Sequence, residues 1–272
     1  MSRVVMQIRE QPTYRRDAFV NGLKRLGYTQ FDDYRCGRGF PSGPDDLLVL
    51  WNLHRGPDES YAKAWEAKGG TVLVCENGYL QRQDKTYYAI SVHGHNGSGW
   101  FPAGDGAERF ARLGFELKPQ RTDAVTGGCI LVRGQRGIGS ALMASPPHWH
   151  VKHAARLRAK GMKDVVEYAH PGDKRKLESD AKQLARASWV HIWSSAIGVR
   201  ALVEGIPVEF HAPKWICAGW RAGREVALHN MACGQWHHDE IASGEPFARM
   251  KAEGWGIFTG KADPIAKATA IT

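Results

Sequence analysis

The stretch ASWVHIWSSAIGVRALVEGIP, residues 187–207, says more about the fold than any other part of the chain. The apolar run 189–193 is typical of a buried strand, and Ser194 and Ser195 are good N-caps for a helix that stops before Gly205. Residues 206–210 read as the next strand. A strand, a helix and a second strand in this order predict a parallel sheet covered by helices.

The start of this helix is predicted to bind an anion. The first amides of a helix have no partner inside it and lie at the positive end of its dipole, so a diphosphate is a natural ligand there, and two serine hydroxyls add donors. His170 ends another apolar strand in VVEYAHP, residues 165–171, so it is expected to face the same crevice. The alternatives are an ordinary turn whose serines only cap the helix, and a solvated loop histidine.

HPGDKRKL at 170–177 followed by SSAIGVRALVEGIPV at 194–208 resembles the donor half of capsule-polysaccharide-type glycosyltransferases with the GT-B fold. Their pattern is His-Pro, Ser-Ser, Gly, Ala-Leu and Gly-x-Pro-Val. The resemblance implies two Rossmann-like parallel-sheet domains facing a cleft, with C-terminal helices that cross back to the first domain. It also implies a nucleotide-diphosphate sugar as co-substrate, and a UDP-sugar is the first candidate. Arg200 stands where many such enzymes carry an acid that holds the donor ribose, and Glu204, one turn later, is the candidate substitute.

Three other segments resemble a group of phage-encoded glycosyltransferase-like proteins: HGHNGSGWFP at 93–102, ILVRGQRGIGS at 130–140 and GQWHHDEIASGE at 234–245. This second resemblance implies DNA with hydroxymethylated pyrimidines as the acceptor. The formal charge of +9 and the pI near 9.4 suit a polyanionic partner.

The composition predicts a cytoplasmic protein. The chain has 272 residues, of which 43% are hydrophobic and 24% charged, which is ordinary globular usage. Its five cysteines are scattered and never spaced as Cys-x-x-Cys, which indicates neither a disulfide framework nor a cysteine zinc site. No apolar run is long enough to span a bilayer, so we expect no membrane association.

The order of elements predicts three regions: an N-terminal acceptor domain at 1–124, a donor domain at 125–222 and C-terminal helices at 223–272. Strands are expected at 4–8, 46–53, 71–76, 129–133, 165–168, 189–193 and 206–210. Helices are expected at 16–26, 60–68, 108–113, 149–160, 174–187 and 195–204. The polar stretch 118–128 is the predicted linker.

The glycine-rich segment 133–140 follows a predicted strand directly. Gly137 and Gly139 would let the backbone approach a donor closely, while Arg136 supplies a fixed positive charge. A plain glycine turn is the alternative reading.

Sugar transfer needs a base that deprotonates the acceptor hydroxyl. The first-domain candidates are His95 and Glu76, followed by His93 and Asp105. The pairs His93/His95 and His148/His150 share metal-like spacing but lack a third ligand, and the chain has no Asp-x-Asp, so no metal cofactor is predicted.

DNA would meet the basic residues of the first domain, and aromatic side chains would wedge a base out of the duplex. The candidates are Arg9, Arg15, Arg16, Trp100 and Phe101. The competing functions are a transferase acting on a surface glycan, and a non-catalytic DNA-binding or nucleotide-sensing protein on the same scaffold.

Overall fold

The computed structural model describes residues 3–8, 16–34, 43–53, 56–80, 86–121, 128–170 and 179–255. The chain forms two compact units, one made of Met1–Gly104 with Cys233–Thr272 and one made of Asp105–Ala232. The sequence had placed the first boundary at 124 and the last at 222. Residues 105–121 instead group with the second unit, where Lys118 and Arg121 donate backbone hydrogen bonds to the carbonyls of Val203 and Gly205.

The first unit is built on a six-stranded sheet in the order β10-β5-β4-β3-β1-β2. Its strands are β1 (Arg3–Gln7), β2 (Gln30–Asp33), β3 (Leu47–Trp51), β4 (Thr71–Asn77), β5 (Tyr87–Val92) and β10 (Gln235–His237). Its helices are α1 (Arg16–Arg25), α2 (Pro57–Glu66), α8 (His238–Ser243) and α9 (Glu245–Ala252).

The sequence predicted a parallel sheet here, but the sheet is mixed. β1 to β4 pair in parallel, whereas β5 pairs antiparallel with β4 and β10 pairs antiparallel with β5. β5 and β10 escaped prediction because neither is part of a strand–helix alternation. The buried run of β3, LLVLW, is fully apolar because helices cover both faces of the sheet at its centre.

Residues 233–255 return to the first unit, as predicted, whereas residues 223–232, which were expected to return with them, group with the second unit. β10 extends the sheet, and α8 packs so closely on α1 that a Cβ at Gly22 would lie 1.9 Å from the carbonyl oxygen of Ile241. Only a glycine lets the two backbones approach in this way.

The second unit holds a four-stranded parallel sheet in the order β7-β6-β8-β9, as expected for a Rossmann-like domain. Its strands are β6 (Cys129–Arg133), β7 (Val165–Tyr168), β8 (Ala187–Ile192) and β9 (Val208–Phe210). Its helices are α3 (Gly106–Leu113), α4 (Trp149–Ala159), α5 (Asp180–Ala185), α6 (Ile197–Val203) and α7 (Arg224–Cys233).

Across the described ranges, the helices are all too short or too polar to cross a lipid bilayer.

Candidate functional site

The turn between β8 and α6 lies at the carboxyl edge of the parallel sheet, where ligands bind in open α/β folds. Its helical hydrogen bonds begin at Gly198, whose N–H donates to the carbonyl of Ser195 at 3.1 Å. The amides before Gly198 are therefore those that an α-helix leaves without an internal acceptor. Ser195 is half-buried and Ala196 is exposed, so this part of the turn faces solvent.

Ser194 holds the turn from inside. Its side chain is buried, with 3% of the residue exposed, and its Oγ donates to the carbonyl of Met143 at 2.9 Å. The Gln135 side chain clamps it from the other side: Nε2 donates to Ser194 Oγ at 3.0 Å, and Oε1 accepts from the Ser194 amide at 2.9 Å. Ser194 is therefore a positioning residue, because its hydroxyl proton is already committed to Met143.

The expectation that the two serines cap α6 is wrong. The N-cap position belongs to Ala196, and no side chain caps the helix. The side chain of Ser194 points into the protein, and Ser195 lies one residue before the N-cap position. Within the described part of the chain, no side chain therefore accepts a hydrogen bond from the first-turn amides of α6.

The segment after β6 lies at the same edge of the sheet. Gly139 has a φ of +111°, a conformation that favours glycine, and Arg136 and Gly137 are exposed. The carbonyl of Gln135 accepts from Ser145 Oγ at 3.1 Å, which fixes the start of this loop. Arg136 is thus placed on a braced loop at the carboxyl edge, as the sequence predicted.

His170 follows β7 and is half-buried at the carboxyl end of that strand. The basic residues 174–176 that follow it lie outside the described residues. Parallel pairing of β7, β6 and β8 brings His170, the loop with Arg136 and the turn with Ser195 to one edge of one sheet.

Arg200, which replaces the usual ribose-binding acid, contributes to a charged cluster. Its Nη1 lies 3.9 Å from Asp180, and the buried guanidinium of Arg133 donates to Asp180 at 3.0 Å and to Gln183 at 2.8 Å. Burial lowers the pKa of Arg133, and Asp180 opposes that shift.

Glu204 lies at the C-terminal end of α6, the end away from Ser195, and its carboxylate pairs with Lys118. Its role as a substitute ribose ligand stays a prediction.

In the first unit, Glu76 lies near the carboxyl end of β4. Tyr79 Oη donates to Glu76 Oε1 at 2.5 Å and accepts from the Asn96 amide at 2.9 Å. The loop is braced further by Ser91 Oγ, which donates to the Gly94 carbonyl at 2.6 Å. These bonds bring the predicted glycine-rich loop to Glu76, a half-buried carboxylate.

The other predicted bases are less suited to meeting an acceptor. His95 is 4% exposed, and its Nδ1 is buried with no hydrogen-bond partner in the described part of the chain. His93 Nδ1 lies 2.7 Å from Glu66 Oε1, and its backbone is bonded to Val72 at the opposite end of β4 from Glu76. Asp105 begins the second unit, at the start of α3.

Three of the five residues predicted to contact DNA are described, and each has contacts within the first unit. Arg16 pairs with Asp33 at 2.6 Å, and Trp100 packs against the main hydrophobic core. Phe101 is half-buried beside Gly234, where a Cβ would lie 3.2 Å from its ring. Arg9 and Arg15 fall outside the described residues.

A group of three histidines was missed by sequence reasoning. His153 on α4, His191 on β8 and His211 after β9 meet on one face of the second sheet. Burial is the main cause that lowers their pKa values, to about 4 for His153 and about 3 for His191. The separations of the three histidines along the chain match no metal-binding motif. The one signal in the sequence was the alternation of Trp189, His191 and Trp193, which indicates that these side chains share one face of the strand.

These units define a two-domain α/β protein of the GT-B-like class, as predicted. The chain is similar in structure to Thermosulfurimonas dismutans KpsC, beta Kdo 2,7 transferase, with a TM-score of 0.51 and 14% identity, over 91% of this chain and 99% of the matched chain. The beta Kdo 2,4 transferase of the same KpsC aligns with a TM-score of 0.49 and 12% identity, over 85% of this chain and 89% of the other.

The first likeness supports the capsule-type resemblance at the level of the fold. It lends no support to the resemblance to phage DNA-modifying proteins, which stays a prediction. No protein-family model matches the sequence, and a search of curated proteins finds no match.

Proposed function

We propose that this chain is a glycosyltransferase that moves a sugar from a nucleotide donor to a hydroxyl group of a glycan. The observation that carries the proposal is the solvent-facing turn at Ser195 and Ala196, which opens α6 at the carboxyl edge of a parallel sheet. A fold shared with a Kdo transferase supports the same class of reaction.

The donor phosphate would be held by the amides of this turn, by Ser195 Oγ and by the positive charge of Arg136. His170 follows β7, the strand next to β6, and would add a further hydrogen-bond donor at the same edge of the sheet. When the bond between the anomeric carbon and the phosphate oxygen breaks, its electron pair moves onto that oxygen. Preorganised donors stabilise this growing charge more than they stabilise the bound donor.

The acceptor hydroxyl would lose its proton to Glu76 as its oxygen forms the new bond to the anomeric carbon. Among the predicted bases, Glu76 combines partial exposure with a fixed orientation, since Tyr79 donates to one carboxylate oxygen and leaves the other to act. His95 is instead enclosed, and His93 is engaged by Glu66.

A glycan suits the first unit better than modified DNA. Of the described residues expected to contact DNA, Arg16 is paired with Asp33, and Trp100 packs against the hydrophobic core. The case for a DNA acceptor rests on the resemblance to phage-encoded proteins and on the net charge of +9. Such an excess of lysine and arginine also promotes solubility.

The test is a transfer assay with the purified full chain. Nucleoside diphosphate sugars, and nucleoside monophosphate sugars as a separate arm, are offered with capsule-type oligosaccharides or with DNA containing hydroxymethylated pyrimidines. We expect nucleotide release and sugar transfer with an oligosaccharide. The Ser195→Ala, His170→Ala double variant should lose turnover, whereas Glu204→Gln should retain it.

Transfer to DNA alone would overturn the glycan assignment and restore the DNA acceptor. Nucleotide binding without turnover in any arm would contradict catalysis and favour a nucleotide-sensing protein. Full activity in the double variant would remove the α6 turn from the mechanism.

A further inference from the structure

We infer that His153, His191 and His211 form a binding site for a transition-metal ion of the zinc type. His153 Nε2 lies 3.0 Å from His191 Nδ1, and His211 Nε2 lies 3.5 Å from the same atom. The ligand atoms of all three residues lie within 4.8 Å of one another. Zinc bonded to imidazole nitrogens at about 2.0–2.1 Å in a tetrahedron separates them by roughly 3.4 Å, which is close to the two spacings measured from His191 Nδ1.

The rings are held in place by aromatic neighbours. Trp149 stacks on His153 with a centroid distance of 5.0 Å and an interplanar angle of 11°, and its ring also lies 5.2 Å from His211. Trp189 lies 5.2 Å from the ring of His191. Rigid support of this kind reduces the entropy lost when the ligands are ordered around a metal.

The backbone is fixed as well. The amide of His211 donates to the carbonyls of Ile192 and Trp193, and parallel pairing places His191 beside Val132 in the middle of the sheet. A metal ion bound here would therefore link α4 to the C-terminal ends of β8 and β9.

Hydrogen bonding alone does not satisfy this cluster. His191 Nδ1 can make one N–H···N bond, either as donor or as acceptor, yet two ring nitrogens face it. The ring nitrogens of His153 and His211 both lie next to His191 Nδ1, so Nδ1 is the atom that would bind an ion, while the buried His191 Nε2 has no hydrogen-bond partner among the described residues. A single cation can accept one nitrogen lone pair from each of the three imidazole rings.

The donor set selects the metal. Three neutral imidazoles suit zinc, cobalt, nickel or copper, whereas magnesium and calcium require oxygen ligands. His153 and His211 are half-buried, not fully enclosed, so water could take a fourth position on the ion. The charges of Arg156, Lys160 and Arg221 act on the cluster, and Glu209, which pairs with Arg221, opposes them. We therefore expect weaker binding than at a site with a carboxylate ligand.

The test uses the full chain after treatment with a chelator. Zn²⁺ is titrated against a competing chelator, and Co²⁺ is added separately to read the visible absorption bands of tetrahedral coordination. We expect one bound ion per chain, a tetrahedral Co²⁺ spectrum and a higher unfolding temperature with Zn²⁺. His153→Ala should weaken binding by at least about tenfold, since loss of even an outer-shell partner costs 10–100-fold.

The matched control removes a second group of potential metal ligands that also lie close together. This group consists of His237, His238 and Asp239 at the start of α8. A His237→Ala, His238→Ala variant should keep the zinc site and the Co²⁺ spectrum. His211→Asn offers a second removal of a ligand if His153→Ala does not give the native circular dichroism spectrum.

Three results would overturn the inference: no binding of Zn²⁺ or Co²⁺ by the wild type, unchanged binding in both His153→Ala and His211→Asn, or loss of binding in the control variant alone. None of these readouts depends on transferase activity.

Discussion

Replacing Ser194 with alanine tests whether this serine braces the α6 turn from inside. The change removes the hydrogen bond from Ser194 Oγ to Met143 and the one from Gln135 Nε2 to Ser194 Oγ. A neutral hydrogen bond contributes about 0.5–1.5 kcal/mol, and an unsatisfied buried group costs more. Since Gln135 Nε2 also donates to the Met143 carbonyl at 3.2 Å, that acceptor keeps a partner. We therefore expect a loss of about 1–2 kcal/mol in the free energy of unfolding.

Urea unfolding followed by tryptophan fluorescence measures this loss. With a slope of about 3 kcal/mol per molar urea, the midpoint should fall by about 0.5 M. The matched control is Ser195→Ala, because this serine is half-buried and does not cap the helix. It should change stability by less than about 0.5 kcal/mol while weakening donor binding.

The reverse outcome would refute the reasoning. If Ser195→Ala destabilised the protein and Ser194→Ala did not, the two serines would have exchanged roles. Ser194 would then be the residue free to meet a ligand.

Three further predictions follow from the structure. Glu76→Gln should lower kcat by about 10²–10⁴ with little change in KM, and wild-type kcat in the transfer assay would exclude it as the base. Gly22→Ala should cost about 2–3 kcal/mol in urea unfolding, because its Cβ would meet the Ile241 carbonyl at 1.9 Å; an unchanged midpoint would contradict the packing of α8 on α1. The pKa of His191 is lowered from 6.5 to about 3, chiefly by burial, so its contribution to stability is complete above pH 6.5 and is lost as the pH falls toward 3. Between pH 7 and pH 5 the titration of His191 should lower the unfolding free energy of the metal-free protein by about 2 kcal/mol, in addition to the losses from His153 and His211, and a His191→Gln variant should show a flatter pH profile.

Strand and helix positions in the second unit were largely predictable from local pattern. The β8 run and the helix after it combine an apolar strand with a glycine stop, and both lie where the sequence placed them. The first unit was harder to predict because β5 and β10 pair antiparallel at the sheet edge, far apart in the chain. β5 is a buried, β-prone run, but its antiparallel partner β10 lies far away in the chain, so the pairing is not visible in the local pattern.

By itself, the sequence determined the two-unit α/β class and the presence of a helix directly after β8, because the burial of alternating apolar segments produces a local periodicity in the sequence. Only the tertiary structure decided which of two adjacent serines faces solvent, since that depends on Gln135, which is distant in the chain. It alone brought together His153, His191 and His211 from a helix, a strand and a strand end. Residues that meet through chain packing carry no spacing rule, so their chemistry appears only when the fold is complete.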